Sequence, residues 1–149
     1  MSVESQMVGV QVEWLILADA AQVVGNKLYL MGGGWDVITV NQSFPINHQL
    51  AVALSIRVPW HETNQRHDFE VEITSDDGAS LAKMNGQFEV GRPPGIKPGQ
   101  SQRTQIAFGA GLRLEKAGTY VVVARLSGQE HTRYPFAVIP GASAAQKAA

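Results

Sequence analysis

The sequence predicts an all-β fold, an antiparallel β-sandwich of about eight to nine strands that is immunoglobulin-like or jelly-roll-like. Short segments that alternate between apolar and polar residues recur along the chain, and turn signals separate them. No segment has the apolar spacing of an amphipathic helix over a length sufficient to form one. A sandwich is favoured over a closed barrel because segments that are apolar on both faces suit central strands between two packed sheets.

The clearest alternation lies in residues 50–60, where every second residue is large and apolar. This period of two indicates a strand with one face in the core. Asp77-Gly78 is a strong hairpin signal between strands at residues 68–74 and 80–90. Further strands are predicted at residues 11–18, 28–31, 35–40, 105–114, 120–126 and 132–139.

A glycine-rich stretch near the N-terminus is the most distinctive part of the chain. Gly25-Asn26 predicts a turn, because both residues tolerate positive φ. Three successive glycines, residues 32–34, do not favour a regular strand, so we expect a bulge or sharp bend that redirects the chain. Residues 19–24 are interpreted as a connection that could hold one helical turn with Asp19 as its N-cap.

Length and composition favour one ordinary intracellular domain. With 149 residues we expect a sandwich over residues 11–140, an N-terminal tail over 1–10 and an Ala-rich C-terminal tail over 141–149. The formal net charge of −1 and the absence of a basic stripe argue against a nucleic-acid partner. The N-terminus lacks the features of a secretory signal and no apolar run is long enough to span a bilayer, so a soluble cytoplasmic protein without a membrane partner is expected.

Three short runs in the first third of the chain carry a family resemblance. These are Leu-Ala-Asp-Ala-Ala at residues 17–21, Gly-Asn-Lys-Leu at 25–28 and Gly-Gly-Gly-Trp-Asp at 32–36. Together they resemble a family of small bacterial proteins of unknown function. The Gly-Thr-Tyr run at residues 118–120 also looks like part of immunoglobulin-like and fibronectin-like sandwiches, although the cysteine pair of antibody domains is missing. The resemblance implies a fold, and superfolds of this kind host many functions.

The sequence offers no constellation typical of catalysis. It has no cysteine, no Gly-x-Ser-x-Gly elbow and no pair of histidines at helical spacing. Its four histidines, His48, His61, His67 and His131, lie on or beside different loops or strand ends, and only His61 and His67 flank the same loop. We therefore predict no enzyme activity, no metal site and no cofactor.

The leading hypothesis is a protein that acts through protein–protein association, with itself or within a larger assembly. Exposed strand edges would provide backbone pairing as the means of contact. We expect the C-terminal tail to dock on a partner as well, and the candidate contact residues there are Ala142, Ser143, Gln146 and Lys147.

The alternative hypothesis is a module that binds a small ligand or carbohydrate. Its site would combine the glycine corner at residues 32–36 with the Pro- and Gly-rich loop at 91–101, and its candidate residues are Trp35, Asp36, Arg92 and Lys97. Trp14 and Trp60 fall in apolar patterns and are expected in the core. Trp35 is the tryptophan expected to be exposed for stacking on a sugar.

Overall fold

A computed structural model of the chain describes residues 9–142, which are organised almost entirely as strands. Within this range the strands are β1 (Gln11–Val24), β2 (Lys27–Gly33), β3 (Val37–Val40), β4 (Ile46–Val58), β5 (Arg66–Ser75), β6 (Ser80–Glu89), β7 (Gln102–Leu114), β8 (Gly118–Leu126) and β9 (Gln129–Pro140). A short 3-10 turn, Trp60–Glu62, follows β4.

The strands form two sheets that pack face to face. One sheet has four strands in the order β2-β1-β4-β7, and the other has five in the order β3-β9-β8-β5-β6. The prediction of an all-β sandwich is therefore confirmed. The predicted hairpin at Asp77-Gly78 is also present, because it joins the antiparallel pair β5 and β6.

One pair of strands differs from the antiparallel prediction. β3 pairs with β9 in parallel, with Val37 opposite Ala137 and Val40 opposite Pro140. The chain leaves the four-stranded sheet at the glycines that end β2 and enters the other sheet as β3. A strand that arrives from another sheet is not held to the antiparallel direction that a tight hairpin imposes.

The core lies between the inward faces of the two sheets. In β4 the inward residues are the alternating large apolar ones, which confirms the pattern from Leu50 to Val58. The fully buried side chains of greatest volume are Phe136, Leu17, Leu54, Ile56, Ile73, Leu112, Leu114, Val52, Val58, Val71, Val122 and Val138. Ala51, Ala53 and Ser55 of β4 alternate with these inward residues and are buried too, so both faces of this central strand are covered.

The interpretation of residues 19–24 as a connection is wrong, because β1 continues through them to Val24. Gly25 and Asn26 both have φ of 58° and form a two-residue turn, across which Val24 lies opposite Lys27. Such a turn requires positive φ at both central residues and extended strands on either side. The turn therefore makes residues 19–24 a strand rather than a helical segment.

The tip of the β1–β2 hairpin is anchored to the far strand of its own sheet. The Asn26 side chain donates from Nδ2 to the carbonyl oxygen of Arg103 (3.0 Å) and accepts at Oδ1 from the backbone N–H of Gln105 (3.1 Å). Gln105 Nε2 also donates to the carbonyl oxygen of Asn26 (2.8 Å). Because β4 separates β1 from β7 in the sheet, the hairpin must reach past β4 to make these bonds.

Candidate functional site

Exposed apolar side chains are concentrated on the β1–β2 hairpin. Val24, Tyr29, Leu30 and Met31, which we call the hairpin surface, are exposed by 53%, 55%, 40% and 72%. In the part of the chain that the structure describes, the other exposed large apolar residues are Val37, Met84 and Ile139, on three other strands. Apolar residues that cluster on a surface are typical of interaction sites, whereas scattered ones are ordinary.

The register of the hairpin explains how these side chains are arranged. Ala20 lies opposite Met31, Gln22 opposite Tyr29 and Val24 opposite Lys27, so Val24, Tyr29 and Met31 share one face. Leu30 lies opposite Ala21 on the other face. Ala20, Ala21 and Gln22 line an open pocket of about 220 Å³ together with the β2 residues Tyr29, Leu30 and Met31. The small alanines of β1 thus leave the large side chains of β2 uncovered.

β2 also lies at an edge of its sheet, so one side of the strand is open to pairing. The edge strand β7 has two of its backbone groups bonded by Asn26, and β3 is only four residues long. The edge strand β6 carries Lys83, and a lysine on an edge strand opposes pairing with another chain. β2 is seven residues long, pairs with β1 on one side and has Lys27 at its first position as its sole charged residue.

The base of the hairpin is fixed as well as its tip. The Trp35 indole N–H donates to the carbonyl oxygen of Gly32 (2.9 Å), and the backbone N–H of Gly34 donates to the carbonyl oxygen of Leu17 (2.8 Å). Gly32 has φ of 62°, which glycine adopts without steric cost. The hairpin surface is therefore presented on a strand pair that is held at both ends.

The expectation that Trp35 is exposed is wrong, and Trp35 packs partly buried against the core. The Tyr134 hydroxyl donates to its carbonyl oxygen (2.8 Å). Trp60 was expected in the core but lies in the 3-10 turn after β4, with the guanidinium carbon of Arg92 3.6 Å from its ring centroid. Trp14 is half-buried beside Ser55 rather than inside the core. The apolar patterns could not show these placements, because Trp60 lies beyond the end of β4 and the register of β1 shifts between Val12 and Trp14.

The structure does not bring the four candidate ligand residues together. Trp35 and the exposed Asp36 follow the glycines beside Leu17, which lies opposite Val52 in β4. Arg92 lies beside the turn that follows β4, where it donates to Thr63 Oγ1 (2.7 Å) and to the carbonyl oxygen of Trp60 (3.0 Å).

Lys97 is exposed in the 91–101 loop, where its backbone N–H donates to Gln100 Oε1 (3.1 Å). Of the candidate partner contacts, Ala142 is exposed. Ser143, Gln146 and Lys147 lie outside the described residues.

Three histidines lie near Glu62 at one end of the sandwich. His67 is buried in β5 and donates from Nε2 to the carbonyl oxygen of Glu62 (2.8 Å). The Glu62 carboxylate lies 3.9 Å from Nε2 of both His61 and His67. Burial lowers the pKa of His131, which lines a pocket of about 280 Å³ with Glu62 and His67. Within residues 9–142 no group of three or more His, Cys, Asp or Glu side chains could hold a metal ion.

The strongest electrostatic cluster joins three strands around Glu13. Its carboxylate accepts from Arg103 Nε (2.7 Å), Arg57 Nη2 (2.8 Å) and Ser55 Oγ (2.6 Å). The bond from Arg103 is the largest cause that lowers the pKa of Glu13 to about 2, with Ser55 and Arg57 adding to it and burial opposing it. No sequence pattern could have revealed this cluster, because the four residues meet only through strand pairing.

A pocket of about 330 Å³ lies at the Ser75 end of β5, opposite the end that carries His67. It is lined by Ser75, Asp77, Arg113, Glu115 and Lys116 among others. The charges are mixed, and Arg113 Nε already donates to Glu115 Oε1 (2.8 Å). Ser75 donates its hydroxyl to Asp77, which is a local bond within the β5–β6 turn. This pocket is a depression of the surface between two turns.

Over residues 9–142, the fold and the surface together define a nine-stranded β-sandwich with an apolar edge hairpin. The chain belongs to the family of unknown function DUF6941, whose family model matches residues 13–139. No curated protein matches the chain by sequence. The fold is similar to part of a solved β-glucuronidase from glycoside hydrolase family 2, with 16% identity and a TM-score of 0.41.

That similarity covers 89% of this chain and 11% of the β-glucuronidase chain, so the chain spans about a tenth of that protein. Residues 9–142 contain no helix with the length and hydropathy that crossing a membrane requires.

Proposed function

We propose that the protein is a non-catalytic β-sandwich that acts through protein–protein association, as a subunit or accessory component of a larger assembly. The observation that carries this proposal is the hairpin surface, because four exposed apolar side chains lie together on one edge hairpin. Its contact would combine apolar burial with backbone pairing along β2, the mode in which an extended segment adds a strand to a sheet edge.

The disposition of the polar side chains supports a structural rather than a catalytic role. Arg125 Nη1 donates to Glu70 (2.6 Å) and Glu72 (3.1 Å), so it joins two carboxylates on the neighbouring strand β5. Glu13 is bonded by two arginines and a serine in the same way. Among the described residues, no buried side-chain nitrogen or oxygen lacks a hydrogen-bond partner. The side chains of Arg125 and Glu13 thus form hydrogen bonds that hold neighbouring strands together.

Site-specific photo-crosslinking in cells that express the chain tests the proposal. A photoreactive amino acid at position 31 would replace the most exposed residue of the hairpin surface, and the matched control would carry it at Met84, an exposed apolar residue on the edge strand β6. We expect discrete higher-mass adducts from position 31 and none from position 84. Mass spectrometry of the adducts then identifies the partner.

Two results would contradict the proposal. If position 31 gives no adduct above the background of position 84, the hairpin is not an association surface. If both positions give the same heterogeneous mixture of adducts, the contacts are non-specific.

A further inference from the structure

We infer that the partner of the hairpin is a second copy of the same chain, joined through antiparallel pairing of the two β2 strands about a twofold axis at Leu30. This inference rests on the proposed function and names its partner. The product would be a four-stranded sheet made from the β1–β2 hairpins of two copies.

Backbone geometry restricts how two β2 strands can pair. Along a free edge, every second residue directs its N–H and C=O outward, so antiparallel partners must be residues of the same hydrogen-bonding class. For two identical strands this condition places a residue on the twofold axis. Leu30 is the middle residue of Lys27–Gly33, and an axis there pairs the extended residues Tyr29, Leu30 and Met31 with their copies. Gly32 has φ of 62° and its carbonyl oxygen accepts from the Trp35 indole, so the regular pairing ends before it.

The side chains in this register match themselves. Tyr29 of one copy lies opposite Met31 of the other, twice across the axis, and methionine sulfur makes favourable contacts with aromatic rings. Leu30 lies opposite its own copy on the other face. Tyr29, Leu30 and Met31 of one chain are therefore covered by the same three side chains of the second, whereas Val24 on β1 lies outside the pairing.

Charge does not oppose the pairing. Lys27 lies opposite Gly33 of the other copy in this register, so the two lysines stand at opposite ends of the interface. The formal net charge of the chain is −1, so long-range repulsion between copies is small. Like charges directly opposite each other would destabilise a strand pair, and the Leu30 register avoids them.

The small contact predicts a weak dimer. Stable interfaces use about 20–30 residues from each side, whereas β2 contributes seven. We therefore expect a monomer–dimer equilibrium that depends on protein concentration, with dissociation in the micromolar range or weaker.

Sedimentation velocity over a range of concentrations tests the inference with two designed variants. Tyr29→Lys/Met31→Lys places like charges opposite each other, and should weaken dimerisation by about tenfold or more. Tyr29→Lys/Met31→Glu places Lys opposite Glu across the axis, and should recover a dimer that is sensitive to salt. Met84→Lys on β6 is the control and should dimerise like the wild type. Circular dichroism of each variant verifies that it is folded.

Each alternative result has a distinct meaning. A wild type that remains monomeric at millimolar concentration overturns self-association, whereas crosslinks from position 31 to a different protein would leave the proposed function standing. A double-lysine variant that dimerises like the wild type moves the interface away from β2. Failure of the Lys/Glu variant to recover the dimer overturns the register about Leu30.

Discussion

Removing the Asn26 side chain tests whether the hairpin is held in place from its tip. Asn26→Gly keeps a residue that adopts the φ of 58° and deletes the two side-chain hydrogen bonds to the backbone of Arg103 and Gln105. At a net value of roughly 0.5–1.5 kcal/mol each, two bonds are worth about 1–3 kcal/mol. Because water can replace them at an exposed edge, we expect a loss of about 1–2 kcal/mol of unfolding free energy.

Asn64 supplies a matched control. It also has φ of 58°, but its side chain makes no hydrogen bond to the described residues. Asn64→Gly therefore has the same effect on backbone freedom without removing an anchor. The difference between the two variants in equilibrium urea unfolding, at concentrations low enough to keep the protein monomeric, isolates the contribution of the anchor.

Hydrogen exchange gives the local readout of the same anchor. The Gln105 amide, which donates to Asn26, should exchange faster in Asn26→Gly and at the wild-type rate in Asn64→Gly. Unfolding free energies for the two variants that agree within about 0.5 kcal/mol, together with an unchanged Gln105 amide, would refute the anchoring of the hairpin to β7.

Three further outcomes test packing and electrostatics, and urea unfolding measures each. Gly86→Ala should lower the unfolding free energy by about 1 kcal/mol, because the added Cβ would lie 2.9 Å from the Phe69 ring. Gly109→Ala should instead raise the unfolding free energy by about 0.5 kcal/mol, because the atom nearest to its added Cβ is 3.9 Å away. Equal effects of the two substitutions would contradict the packing. Glu13 has its pKa lowered from 4.5 to about 2, so it stabilises the fold above pH 4.5 and loses this contribution as the pH falls towards 2. The advantage of wild type over Glu13→Gln should shrink over that interval, and a constant difference would count against the ion cluster. Arg92→Ala should lower the unfolding free energy by about 1 kcal/mol, because the contact between the guanidinium and the Trp60 ring is lost. An unchanged unfolding free energy would show that this stacked arrangement does not form in solution.

The period of two in β4 was readable from sequence because its inward positions are large and apolar without exception from Leu50 to Val58. The turn at Gly25-Asn26 was readable for a similar reason, since few other residues adopt positive φ at two successive positions. The local sequence does not predict the strand at residues 19–24, because alanine and aspartate there have little strand preference of their own. Pairing with β2 overrides this local preference.

The candidate site was less predictable than the fold. The hairpin surface depends on β2 being an edge strand, and the order of strands in a sheet is set by contacts far apart in sequence. The same limitation applies to the burial of Trp35. Its position beside three glycines predicts an exposed side chain, but the side chain packs against the core, to which both sheets contribute. The parallel pairing of β3 with β9 brings residues about 100 positions apart into register, beyond what local patterns determine.

In our proposal, the edge of β2 is where this protein contacts its partner. Hydrogen exchange of the purified wild type at low and high protein concentration tests it most directly, with the edge strand β6 as an internal reference. We predict that amides of β2 exchange more slowly at high concentration while those of β6 are unchanged. Equal exchange in β2 at both concentrations, or slowing confined to β6, would contradict it.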